Sequence, residues 1–136
     1  MENQIGFHIP LKVSYDQALI AVTDALKAEG FGILTRIDVQ ATFKEKLGAD
    51  FRPYTILGAC NPPLSHRALS AEPEVGLMLP CNVTVESDDA GSSIVRIANP
   101  DAMLTIGALG ANPVLVDVTQ EARARLERVA QSLRSL

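Results

Sequence analysis

Residues 77–98 read Leu77-Met78-Leu79-Pro80-Cys81-Asn82-Val83-Thr84-Val85-Glu86-Ser87-Asp88-Asp89-Ala90-Gly91-Ser92-Ser93-Ile94-Val95-Arg96-Ile97-Ala98. Two apolar, β-branched runs, 77–86 and 93–98, flank a polar segment rich in Asp and Gly. Such a segment reverses the chain, because Asp bonds its own backbone and Gly tolerates positive φ. The stretch is therefore predicted to be a β-hairpin. A hairpin is an antiparallel unit, which argues against a strictly alternating βα chain with an all-parallel sheet.

The flanking segments supply what the hairpin joins. Upstream, residues 4–11 alternate Ile5, Phe7, Ile9 and Leu11 with other residues, the period-two pattern of a half-buried strand, and Pro10 places its end at a sheet edge. Ser14 opens a capping box with Gln17, and Ala18, Leu19, Val22, Ala25 and Leu26 recur at helical spacing until Gly30 stops the run. Residues 31–37 return to strand chemistry. Asp38 caps a short helix in which Val39, Phe43 and Leu47 stack, with Lys44 and Lys46 in its last turn and Gly48 after it.

After the connection at 50–52, Tyr54, Thr55, Ile56 and Leu57 begin a third strand that runs to Cys60. Asn61-Pro62-Pro63 signals a helix start, since proline fits the first turn where its missing N–H is not needed; Glu72 and Pro73 close that helix. Asn99-Pro100 and Asn112-Pro113 repeat the device, and the last helix carries Leu115, Val118, Ala122, Leu126, Val129 and Leu133 on one face. The predicted order is β-α-β-α-β-α-β-β-α-α. It describes one α+β domain over residues 1–136, a mixed or antiparallel sheet with helices packed on it.

Composition agrees. A chain of 136 residues, 47% hydrophobic and 21% charged, is long enough for one core and too apolar for disorder. Sixteen acidic against 12 basic residues, scattered, leave no basic stripe for phosphates, so nucleic acid is not an expected partner. The opening residues carry no charged leader with an apolar core, and no run approaches a membrane span; a soluble cytoplasmic protein without a membrane partner is expected. Two cysteines are too few for a secreted disulfide scaffold and are expected as thiols.

Chemistry concentrates between Cys60 and Cys81. Cys60 ends a strand immediately before a helix N-terminus, where unpaired N–H groups and the helix dipole favour thiolate. His66 lies about one turn into that helix, within reach as a base or ligand, and Cys81 returns to the corner if its strand runs beside the one ending at Cys60. The candidate ligand-binding residues are Cys60, Asn61 and Cys81, the candidate metal ligands Cys60, His66 and Cys81, and the candidate nucleophile and base Cys60 and His66. A soft ion such as zinc or copper(I) would suit these donors; a site without any cofactor stands beside that reading. Against it, a lone strand cysteine is commonly a small buried apolar residue, and the spacing matches no zinc finger or ribbon. His8 is expected to face solvent. The segment 107–110, Gly-Ala-Leu-Gly, is expected to be a turn with a close backbone approach, because it lacks the preceding strand, the third glycine and the Lys-Ser/Thr pair of a phosphate loop.

The motifs I-L-G-A-C-N-P (56–62) and G-L-M-L-P-C-N-V (76–83), with S-Y-D-Q-A and G-F-G-I-L-T-R-I-D-V upstream, resemble the signature of a bacterial and archaeal family known as domain of unknown function 302. The resemblance covers most of the chain. It implies a small α+β fold that tends to dimerise, with no activity or catalytic residue to carry over. Three readings follow: a thiol-based metal, redox or small-ligand binding protein centred on Cys60 and Cys81; a noncatalytic homodimeric binding or structural module with packed cysteines; and a cysteine-dependent enzyme. The apolar excess makes a homodimer the expected partner.

Overall fold

A computed structural model describes residues 5–88 and 91–136. Strands β1 (Gly6–Leu11), β2 (Gly32–Asp38), β3 (Tyr54–Cys60), β4 (Cys81–Ser87) and β5 (Ser93–Ala98) alternate with helices α1 (Tyr15–Ala28), α2 (Val39–Leu47), α3 (Pro62–Ala71), α4 (Pro100–Met103) and α5 (Pro113–Arg134) in the predicted order. The strands form one sheet, β1-β5-β4-β3-β2, antiparallel at every pair. The hairpin β4–β5 lies inside it, with Ser87 opposite Ser93. Asp89 and Ala90 of its turn, and Gln4 of the first strand, lie outside the described residues.

Alternation along the strands sends one side-chain set to the core: Phe7, Ile9 and Leu11 of β1, Val95 and Ile97 of β5, Val83 and Val85 of β4, Leu57 and Ala59 of β3. Against that face α1 lays Ala18, Leu19, Val22, Ala25 and Leu26, and the second half of α5 lays Leu126, Val129, Ala130 and Leu133. The first half of α5 turns Leu115, Val118 and Ala122 into a second cluster with Leu64 and Ala68 of α3, Val75 and Leu104. Each fully buried Leu, Ile, Val or Phe side chain contributes about 1.5–3 kcal/mol before entropy is charged. Neither cluster includes α2, which buries none of its residues. No described helix is long and apolar enough to cross a membrane.

Local chemistry sets the helix limits. The side chains of Ser14, Asp38, Asn61, Asn99 and Asn112 accept from the N–H of Gln17, Ala41, Leu64, Asp101 and Val114, respectively. Caps of this kind are worth about 1 kcal/mol each. Gly48 closes α2 at φ 64, the left-handed conformation that glycine adopts without strain.

One boundary departs from the sequence reading. Residues 77–80 were expected in the strand, yet Pro73–Met78 forms a 3-10 turn and β4 begins only at Cys81. The reason is twofold: Val75 is wholly buried in the second cluster, and Pro80, preceded by a cis peptide, has no N–H to give a ladder. The expected turn at 107–110 is a 3-10 segment, and a Cβ at Gly110 would stand 2.7 Å from the carbonyl oxygen of Thr105, the close backbone approach anticipated there.

Candidate functional site

The sheet brings the two cysteines to one corner. Cys81 pairs with Ala59 across β3–β4, so Cys60 stands one residue beyond that pair, at the junction with α3. Cys81 is 6% exposed; burial, and secondarily the charge of nearby Cys60, push its thiol from 9.0 up to about 11. At neutral pH it is a protonated thiol. Cys60 is half-buried, and its Sγ lies 3.1 Å from Ser65 Oγ. With Asn61 as N-cap, these two occupy the positions of a hydrophobic staple, the residue before the cap and the fourth residue of the helix.

The remaining candidates are engaged elsewhere or turned away. Asn61 accepts from Leu64 N through Oδ1 and donates through Nδ2 to Glu29 O, 3.4 Å, so its amide is used by the fold. His66 sits on the exposed side of α3, whose buried residues are Leu64 and Ala68. Among the described residues no three His, Cys, Asp or Glu side chains converge as a metal set; Cys60, His66 and Cys81 are not gathered into one. The cavity at the corner, lined by Ala59, Ser65 and Cys81 among others, measures about 20 Å³. That is space for about one water molecule.

A larger concavity lies on the opposite side of the sheet, at β1, β5 and β4. It encloses about 590 Å³ and is lined by His8, Tyr54, Asn82, Thr84, Arg96 and Met103, with small Gly6 and Ala98 in its floor. His8 is opposite Arg96, and Arg96 opposite Thr84, so the three form one row across adjacent strands. Beside the row Glu86, 4% exposed, accepts from both Arg96 and Arg52. Burial raises its pKa, but the hydrogen bonds and charges of the two guanidiniums outweigh burial and hold the carboxyl below 4.5. Arg52 also stacks over Phe51 and Tyr54.

The sequence reading nominated none of this row. His8, expected to face solvent, is instead half-buried in the concavity wall. The available signal was a polar residue at the outward phase of three strands, which becomes a cluster only once register is known.

A sheet covered by helices on one face and hollowed on the other defines a two-layer α+β protein with an open-face groove. This chain belongs to the family described as Domain of unknown function DUF302, whose model matches residues 7–133. The crystal structure of an uncharacterized conserved protein DUF302 from Bacillus stearothermophilus is similar to it over 97% of this chain and 100% of that one, with 26% identity and a TM-score of 0.83. No curated protein matches the chain.

Proposed function

We propose that this protein is a noncatalytic binding module that takes a small molecule in the open-face groove, and that its cysteines serve packing. The contrast in size carries the reading: about 590 Å³ falls within the range of small-molecule sites, roughly 300–1,000 Å³, whereas about 20 Å³ at the cysteine corner does not. The protonated state of Cys81 supports the same choice, because a soft metal or an oxidant reacts with thiolate.

Homodimerisation belongs to the same proposal. β2 is an outer strand with an unpaired edge, and Leu34 and Ile37 on it are 67% and 47% exposed. A second copy adding there would bury both and extend the sheet. A monomer by light scattering at micromolar concentration would remove that part.

The binding claim is tested by 15N–1H NMR titration with a mixture of small organic fragments, and separately with Zn²⁺. Shifts gathered on β1, β4 and β5 at the groove support it. Stoichiometric zinc, or fragment shifts confined to Cys60, Ser65 and Cys81, would restore the thiol-centred reading and overturn this one.

A further inference from the structure

The groove's lining also speaks to what it holds, and we infer that it binds an organic anion, a carboxylate or phosphate ester carrying a short apolar chain. The assignment rests on the groove being the binding site and adds the chemical class. Three observations point to it. First, none of the described lining residues is acidic, while Arg96 and His8 stand side by side in the wall. The adjoining Glu86 is shared by Arg96 and Arg52, so two guanidiniums surround one carboxylate and the cluster keeps an excess positive charge.

Second, Thr84 Oγ1 is buried and has no hydrogen-bond partner among the described residues. A buried hydroxyl left unmatched calls for a partner, and this one belongs to a residue lining the groove beside Arg96. A hydroxyl and a guanidinium on neighbouring strands are donors that a carboxylate or phosphoryl head accepts from, and arginine's fixed fork suits both. Third, the donors occupy only part of the space. Ile5 and Met103 line the same groove over the small floor residue Ala98, which gives an apolar chain somewhere to lie.

The probes are octanoate, octan-1-ol and octylammonium, matched in chain and different in head charge. Each is titrated into full-length protein and read by amide shifts at His8, Thr84, Arg96 and Ala98. Octanoate is expected to bind about tenfold or more tightly than the alcohol, as one charge-assisted contact implies, and octylammonium more weakly still. Thr84→Val, which keeps shape and removes an unmatched hydroxyl, is expected to fold normally and weaken octanoate about tenfold; Arg96→Gln is expected to abolish the preference for octanoate over octan-1-ol. If the alcohol or the ammonium binds in the groove as tightly as octanoate, or Thr84→Val and Arg96→Gln both leave octanoate unaffected, the anion assignment falls and the groove stands. If no probe of any charge moves the groove amides, the groove reading falls with it.

Discussion

Raising the pH through 9 to 11 should strip stability from this fold through one side chain, Cys81. Burial, and secondarily nearby Cys60, push its thiol in the folded protein up to about 11 from the 9.0 of a free side chain. Between these values the folded chain keeps a proton that the unfolded chain has released, so stability falls as pH rises: the contribution is whole below pH 9 and is lost through pH 11. Two pH units correspond to about 2.7 kcal/mol at the limit, a large share of the 5–15 kcal/mol typical of a domain. Lys and Tyr side chains titrate in the same range, so the measurement is a difference. Urea unfolding of the wild type and of Cys81→Ala is followed at pH 8, 9, 10 and 11. The variant loses a buried sulfur and starts lower, by about 1 kcal/mol, but its curve should fall less steeply, meeting the wild type below pH 11 and standing about 1 kcal/mol above it there. Because Cys60 adds to the shift, Cys60→Ser should move the onset of the loss little and its end to lower pH. Parallel curves for wild type and Cys81→Ala would refute the buried-thiol account.

Four further outcomes are expected. Iodoacetamide at pH 7.5 should leave Cys81 unmodified in the native protein and alkylate it after unfolding; mass spectrometry of native protein carrying the label at Cys81 would contradict its burial. Glu86→Gln should lower stability by about 1–3 kcal/mol by urea titration, because two guanidiniums lose a shared anion while remaining partly solvated. Glu86 also has its folded pKa depressed, so its contribution is present above 4.5 and disappears as pH falls through the folded value; the Gln variant should lose less stability on acidification. Thr119→Val, which removes a buried hydroxyl of α5 that has no hydrogen-bond partner among the described residues, should be neutral or raise the urea midpoint. Gly58→Ala should destabilise by about 1–3 kcal/mol, since its Cβ would stand 2.1 Å from Thr35 Oγ1 and 2.8 Å from Pro80 Cγ, and Thr35→Ala in the same chain should restore part of the loss.

Chain order and the hairpin pairing were legible because the signals are local. Asn61-Pro62, Asn99-Pro100 and Asn112-Pro113 each write a cap and a first turn into adjacent residues, and all three head helices. The α5 stripe from Leu115 to Leu133 is likewise a matter of spacing along one element, and every residue named for it is buried. Residues 77–80 misled for the opposite reason. Leu77, Met78 and Leu79 read as strand by apolarity alone, whereas Val75 beside them packs against Leu64 and Ala68 of α3 and against Leu115, Val118 and Ala122 of α5, the last three far away in sequence. Leu77 itself is 79% exposed, an apolar side chain with no place in the core.

The candidate site divides along the same line. That Cys60 would stand at the mouth of a helix was readable, since Cys60-Asn61-Pro62 is contiguous; what that position means was not. A thiol before an N-cap can be activated by the helix or can pack against its first turn, and adjacent residues alone do not state the 3.1 Å approach of Cys60 Sγ to Ser65 Oγ. The groove needs still more of the fold. His8 and Arg96 are 88 positions apart, and neither they nor Thr84 lies in an extended motif of ionisable residues. They become a set because β5 inserts between β1 and β4, a register fact that places a cation, an imidazole and an unmatched hydroxyl on one row. Chemistry written in adjacent residues therefore pointed to the cysteine corner, which holds about one water, while chemistry assembled by strand order lies beside a concavity of about 590 Å³.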